Sequence, residues 1–323
     1  MTMYDTIVIG SGAAGLTAGM YAARYQLNTL IIGKELGGET TTAWTIENYP
    51  GFTSIDGFEL VQKMKEQVEK NGVSIVDKEV IKVERTSHCF NVHVSNSQYS
   101  AKTIIFANGT LRRHLNLPNE KALTGKGVHY CATCDAPLYK DKVIAIVGGG
   151  DASVKGANLA KSYASKVYLL VRGDKLTGEP HNIAALEGTS TVEVLYNTEV
   201  TTIVGQQKLE KVTLAQPYNN SNELMVDGLF IEIGADPNVA LPKQLGVNLD
   251  ERGYIQVDAL MRTNIDGVFA AGDSTNHFGA FKQVITAAAQ GAVAATSAFQ
   301  DVSEHGQACE FHAVVTTHRD EVI

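Results

Sequence analysis

A short β-branched run at 4–9 predicts a strand, and it ends in Gly10-Ser11-Gly12-Ala13-Ala14-Gly15. The Ala-, Leu- and Met-rich segment that follows, to about Tyr25, predicts a helix, and 29–32 a second strand. Residues 37–42 and 47–51 are polar and glycine-rich with no helical period, which predicts a loop wrapped around something. Asp56 then caps a helix, with Glu59 completing a capping box, Asn71-Gly72 stopping it, and Val61, Met64 and Val68 forming one buried stripe. Short alternating strands fill 73–94, and an apolar strand at 103–106 ends in Ala107-Asn108-Gly109-Thr110.

After a basic, proline-containing link at 111–118 the pattern starts again. A strand at 142–147 runs into Gly148-Gly149-Gly150-Asp151-Ala152-Ser153 and a helix, and a further strand at 166–171 ends at Arg172. Residues 229–233 and 234–238 close this second unit, and 253–257 begins a return. Gly267-Val268-Phe269-Ala270-Ala271-Gly272-Asp273 reads as a buried strand ending in a glycine and a carboxylate, ahead of a helix from about Phe281.

Composition narrows the class. At 323 residues, 44% apolar with only 7 prolines, the chain has room for two domains with real cores and no compositional sign of disorder. A net charge of −8 argues against nucleic acid or an anionic membrane surface as partner. Four cysteines do not make a disulfide scaffold, and a first strand beginning at about Tyr4 leaves no room for a secretory leader, so a cytoplasmic protein is expected. The longest apolar stretch, 285–298, is broken by Gln290, Gly291, Thr296 and Ser297 and falls short of the ~20 apolar residues of a membrane span.

The chemistry concentrates in Cys131-Ala132-Thr133-Cys134-Asp135. Two sulfurs in a helical first turn can reach each other and cycle between dithiol and disulfide. The same spacing also serves zinc sites and buried inert thiols; His129 is too near in sequence to be a convincing third metal ligand, and no fourth is evident.

The first glycine triplet has the strand–turn–helix context that gives it meaning: one glycine turns the chain, the next admits backbone amides to a pyrophosphate, and the third lets helix and strand pack. The acidic residue that usually ends the second strand is replaced by Gly33, with Glu35 two places on. In the second triplet Ser153 stands at the third small position, and Arg172 lies where a 2′-phosphate would sit or where a solvated arginine would do as well. Asp273 can hold a ribityl hydroxyl or act as an N-cap. Cys89 beside Phe90 reads most simply as a buried thiol, and His305, Cys309 and His312 as incidental residues of a frayed terminus.

Taken in order and approximate spacing, 10–15, 47–51, 131–135, 148–150 and 267–273 resemble the low-molecular-weight thioredoxin reductases, flavin-dependent pyridine nucleotide-disulfide oxidoreductases. The resemblance covers nearly the whole chain. It implies an α/β fold of two Rossmann-like, three-layer ββα nucleotide-binding domains, the second inserted into the first: 1–116 with 246–323 for FAD, and 117–245 for NAD(P) and the cysteine pair. FAD would be bound by Gly10, Gly12, Ala13, Ala14, Gly15, Glu39, Thr42, Asn48, Gly109, Gly272, Asp273, Lys282, Gln283 and Val284. A nicotinamide cofactor would lie against Gly148, Gly150, Asp151, Ala152, Ser153 and Arg172. Catalysis would fall to Cys134 facing the flavin, Cys131 attacking a thioredoxin-like protein disulfide and Asp135 managing the thiol proton, in a homodimer whose domains rotate between half-reactions. No metal is implied.

The departures fall mainly on the input side. NADPH-using members follow the second triplet with glutamates and carry His-Arg-Arg with a further arginine; here Lys155 and Gly156 replace the glutamates, Val171-Arg172-Gly173 replaces the cluster, and Thr177 takes the last basic position. Charge-assisted phosphate contacts contribute roughly 1.5–3 kcal/mol each, so losing two weakens NADP preference well over tenfold. NADPH is therefore expected to be a poor donor, leaving NADH, another nicotinamide or a protein such as ferredoxin; a flavin sensor without turnover is the alternative outside the enzymes. On the flavin side, Asn108-Gly109-Thr110 stands for the usual Thr-Gly-Ala and Lys282-Gln283-Val284 for Arg-Gln-Ala, both conservative enough to keep FAD.

Overall fold

The structure, a computed structural model, describes residues 3–43, 45–86 and 89–305. Cys309 and His312 lie outside the described residues. Chain contacts gather into two compact units, one of Met1–Leu36, Met64–Asn108 and Val239–Ile323, the other of Gly37–Lys63 and Gly109–Asn238. The second interrupts the first. This division groups residues 37–63 with the second unit, whereas the expected boundaries assign them to the first.

In the first unit, the β-branched runs become adjacent parallel strands: Ser74–Val76, Thr29–Ile32, Met3–Ile9 and Ser97–Phe106, in that order. The strand expected at 103–106 is longer, and its outer edge is divided. Ser97 to Ala101 pair antiparallel with Phe90–Val94, while Ile104 to Phe106 pair parallel with Val268–Ala270. Alternation explains the layers, because neighbouring side chains on a strand face opposite ways. Ile7, Ile9, Ile104 and Phe106 point to a core shared with Val83, Phe90 and Val92 of the antiparallel strands. The helix Ala13–Arg24 packs on the long helix Val284–His305 so closely that a Cβ on Gly291 would stand 2.1 Å from the Ala14 carbonyl oxygen. The long helix begins three residues after the expected start at Phe281.

The second unit has a five-stranded parallel sheet in the order Val128–His129, Gly228–Ile231, Val143–Val147, Lys166–Leu170, Val192–Leu195. Its two faces are again separated by parity. Ala145 and Val147 face a core with Val200, Ile203, Val212 and Leu214 of an antiparallel three-stranded sheet. Ile144 and Ile146 face Val154, Ala157 and Ala160 of the helix Asp151–Ala160, together with Ala132. Both units thus have parallel strands, a helical layer and an antiparallel layer, the two three-layer Rossmann-like domains that the resemblance implied.

Asp56 caps the helix Gly57–Lys70 as expected, its Oδ1 accepting the amides of Phe58 and Glu59 at 2.9 and 3.2 Å. Val61, Met64 and Val68 form its buried stripe.

Candidate functional site

The first glycine turn is built by close approach. Gly10 has φ +114°, and a Cβ there would meet the Ala107 carbonyl oxygen at 2.1 Å; one on Gly15 would meet the Gly10 carbonyl oxygen at 1.9 Å. Gly12 precedes the helix with no side-chain cap, and no acidic residue occupies the first helical turn, so no carboxylate competes with an anion for the first amides of the helix. Beside this turn the buried Oδ1 of Asn108 has no protein partner. A side chain at Gly33 would meet Ser11 Oγ at 2.4 Å, which explains why no carboxylate ends the second strand.

Gly272 and Asp273 arrive at the same place. Gly272 has φ +84°, and its Cβ would stand 3.0 Å from that of Ala14. The buried Gln290 holds this strand end, its Oε1 accepting the Gly272 amide at 2.9 Å and the Thr275 hydroxyl at 2.7 Å. Lys282 donates to the Thr275 carbonyl and lies 4.6 Å from the centre of the Tyr254 ring; burial holds its ammonium below the ordinary lysine range, against the pull of Asp273 and Asp250. Gln283 and Val284 follow, half-buried.

In the second unit Gly148, at φ +140°, lets the chain pass the Glu232 carbonyl oxygen, which a Cβ would meet at 2.2 Å. Gly150 stands in open space ahead of the helix Asp151–Ala160, and Ser153 fits the third position by donating its hydroxyl to the Gly150 carbonyl at 2.8 Å. Burial pushes the Asp151 carboxyl up, but bonds from Lys155, Asn182 and the Glu179 amide bring it below the ordinary range. Arg172 is 87% exposed and lies 3.9 Å from Glu199. Thr177 donates its amide and hydroxyl to the Gly149 carbonyl at 2.7 and 3.2 Å.

Cys131 and Cys134 are joined in a disulfide across the short helix Ala132–Asp135, with 5.3 Å between their Cα atoms. The Thr42 carbonyl oxygen lies 4.0 and 3.9 Å from the two sulfurs and accepts the Thr133 hydroxyl at 3.0 Å. Asp135 accepts from His129.

Two glycine-turn units, one carrying a bonded Cys-X-X-Cys-Asp turn, match what sequence and structure comparisons find. The pattern of the pyridine nucleotide-disulphide oxidoreductase family matches residues 4–291. The chain is 38% identical over 307 residues to a thioredoxin reductase of Mycolicibacterium smegmatis, covering 94% of this chain and 98% of that one. Among solved structures it is similar to Lactococcus lactis thioredoxin reductase (TM-score 0.88, 34% identity, 93% and 99% of the two chains covered). It is also similar to a ferredoxin-flavin thioredoxin reductase of Clostridium acetobutylicum (TM-score 0.51, 34% identity, 94% and 99% covered). The chain belongs to the pyridine nucleotide-disulphide oxidoreductase family. Within it, the relatives place the chain among the low-molecular-weight thioredoxin reductases.

Of the positions that the thioredoxin reductase resemblance singled out, the first unit gathers 10, 12–15, 272–273 and 282–284, and the second gathers Glu39, Thr42, Asn48 and Gly109 with the cysteine pair and the second glycine turn. Cys89 is a correction: it is half-buried and not a free thiol.

Three residues around the thioredoxin reductase disulfide escaped the sequence reading. Glu232 accepts the Ala132 amide at 2.8 Å and pairs with Arg112 at 2.8 Å, and Arg112 also pairs with Glu39. Burial pushes the Glu232 carboxyl up from the ordinary range, while the Ala132 amide and Arg112 pull it down. Tyr139 completes a second set through His129, and burial, with Asp135 and Asp227, raises its phenol. The one sequence signal for Glu232 was a carboxylate ending an otherwise apolar strand, 229–231.

Proposed function

We propose that this chain is a thioredoxin reductase whose first unit holds FAD and whose Cys131–Cys134 pair passes two electrons to a thioredoxin-like protein disulfide. The observation that carries this reading is the bonded cysteine pair on a helical turn of a glycine-turn unit, with Asp135 immediately behind it. Gly10, Gly12, Ala13, Ala14 and Gly15 would seat the FAD pyrophosphate on the first helix amides, with Asn108 Oδ1 offering an unpaired acceptor to a cofactor hydroxyl and Asp273 a carboxylate at the converging strand end. Lys282, Gln283 and Val284 would border the same cofactor. When bound, FAD supplies the two-electron carrier between donor and disulfide.

In the dithiol state, Cys131 attacks one sulfur of the substrate disulfide; that S–S bond breaks, a substrate thiolate leaves, and a mixed disulfide forms. Cys134 then attacks the Cys131 sulfur, restoring the intramolecular bond and releasing the second substrate thiolate. Two electrons and two protons have moved to the substrate. Asp135, beside Cys134 in sequence, takes and returns the thiol proton.

We read NADPH as a poor donor. Arg172 is exposed and shares its charge with Glu199, Lys155 is paired with Asp151, and the position of the last family arginine holds Thr177, bonded to Gly149. NADH, which lacks the 2′-phosphate, asks for none of the missing charges; a ferredoxin-type donor is the second reading, favoured by the likeness to the clostridial protein named for ferredoxin. Anaerobic bleaching of the flavin by NADPH, NADH and reduced ferredoxin, compared side by side, tests this; fast bleaching by NADPH would overturn it. Repeated turnover of thioredoxin with a reduced donor separates the enzyme from a sensor, which stops after one exchange.

We further read the protein as a cytoplasmic homodimer. No helix among the described residues is long and apolar enough to cross a membrane. Sedimentation of the purified protein checks the dimer.

A further inference from the structure

Glu232 is the most deeply buried acid near the redox pair: its side chain is 4% exposed, and both of its oxygens have partners. It follows the strand Gly228–Ile231, and its own amide donates to the Val147 carbonyl at 2.8 Å, so its backbone is held beside the second glycine turn. From there Oε1 reaches the amide of Ala132 at 2.8 Å, the first amide of the short helix that separates the sulfurs. Ala132 itself is fully buried and packed against Gly156, where a Cβ would come within 2.6 Å of the Ala132 methyl. The peptide between Cys131 and Ala132 is thus fixed from two sides, by a helix without a side chain and by a carboxylate.

The other oxygen of Glu232 meets Arg112 Nη1 at 2.8 Å, and Arg112 Nε reaches Glu39 Oε1 at 3.3 Å. Glu39 opens the four-residue helix Glu39–Thr42, whose last carbonyl faces both sulfurs. One guanidinium therefore ties together the two segments that enclose the disulfide. Two carboxylates against one guanidinium leave this cluster with a net negative charge. The other carboxylate near the turn is Asp135, bonded to His129.

A helix N-terminus stabilises a thiolate through its free amides, and a nearby anion opposes that stabilisation. Here the Ala132 amide is taken by Glu232, and the Cys134 amide, 3.2 Å away, points at the Cys131 sulfur. We propose that Glu232 is a positioning residue of the redox pair: it anchors the Ala132 amide to hold the disulfide turn, and its charge, only partly offset by the Arg112 it shares with Glu39, poises the pair toward the disulfide. A neutral acceptor at 232 would hold the same amide but not the same poise. The proposal rests on the reading of Cys131 and Cys134 as a redox pair.

The test is the equilibrium between the pair and dithiothreitol, in which disulfide plus dithiothreitol gives dithiol plus the cyclic disulfide, two electrons and two protons passing across. Full-length flavin-loaded protein is equilibrated anaerobically at pH 8 over a range of reduced-to-oxidised dithiothreitol, quenched with acid, alkylated and weighed by mass spectrometry. Glu232→Gln is expected to shift the equilibrium about tenfold toward the dithiol, ~30 mV for a two-electron couple. Arg112→Gln, which leaves the Glu232 charge unbalanced, is expected to shift it about tenfold the other way. Opposite shifts are the signature of charge; loss of packing would move both variants alike. Both variants within twofold of wild type, or both moving in one direction, would overturn the proposal. If Glu232→Gln does not fold, Arg112→Gln decides alone: a shift toward the disulfide supports the proposal, and no shift or the reverse overturns it. A wild-type pair that fails to cycle at all refutes the redox reading itself, separately from the role of Glu232.

Discussion

His129 and Asp135 meet at 2.7 Å between Nδ1 and Oδ2, and the second nitrogen of the same imidazole lies 2.7 Å from the Tyr139 hydroxyl. The ring is stacked on Phe230, with centroids 5.2 Å apart. A phenol raised by burial stays protonated through the neutral range and can donate to Nε2, which leaves the imidazole proton on Nδ1, facing the carboxylate. His129→Phe keeps an aromatic ring on Phe230 but removes the donor that orients Asp135. The expected outcome is a dithiol–disulfide exchange rate lowered by about tenfold or more, the scale of a misdirected acid–base group, with flavin reduction unchanged; stopped-flow mixing of reduced enzyme with oxidised thioredoxin reads it.

The two sulfurs have separate tasks in the proposed mechanism. Cys131→Ser should leave flavin reduction by the donor intact and abolish reduction of a protein disulfide. Survival of disulfide reduction in a coupled thioredoxin assay would show that the division of labour is wrong.

The nicotinamide side can be rebuilt. Gly173→Arg combined with Thr177→Arg returns two cations to the region of Arg172, and each charge-assisted phosphate contact is worth roughly 1.5–3 kcal/mol. The double variant should therefore use NADPH more than tenfold better than the parent, with NADH little affected. Flavin bleaching rates at matched cofactor concentrations measure the ratio.

Glu232 also gives stability a pH dependence of known sign. Burial raises its carboxyl in the folded protein, so over the interval from the ordinary glutamate value upward to the folded value the folded state binds more protons than the unfolded state. Stability from this group is therefore lost as pH rises through that interval. Wild type should lose stability relative to Glu232→Gln over the same interval, and urea midpoints at a series of pH values check the direction.

Close backbone approach makes the first glycine turn intolerant of a methyl group. Gly15→Ala would put a Cβ 1.9 Å from the Gly10 carbonyl oxygen, whereas Gly173→Ala meets nothing within 4 Å. The first should cost about 1–3 kcal/mol or more by overpacking and the second less than about 0.5 kcal/mol. Urea unfolding of the two variants compares them directly.

Much of this protein was legible in the order of its residues because the signals are local. A β-branched run, three glycines and a helix describe a turn whose bonds close within a few residues, so both nucleotide units could be read from 4–25 and 142–160, and the cap at Asp56 from its neighbours. The cysteine pair belongs to the same class: a separation of three residues lets the sulfurs meet whatever the rest of the chain does. Local pattern does not decide a side chain that has more than one use. Cys89 sits in a strand pattern that says nothing of how far it is covered, and it is half-buried and bonded.

The residues that set the surroundings of the disulfide were settled only by tertiary structure. Arg112 lies 73 positions from Glu39 and 120 from Glu232, and it meets Glu232 because Thr110–Arg112 pairs antiparallel with Ala235–Pro237, just past Glu232 in the chain. Gln290 likewise reaches Gly272 only because the last helix returns to its strand. Strand order and helix return depend on which apolar faces bury each other across the whole chain, and no local period encodes them. The sequence alone therefore determined that a Cys-X-X-Cys turn exists inside the second of two nucleotide folds, while the fold decided which charges stand around it.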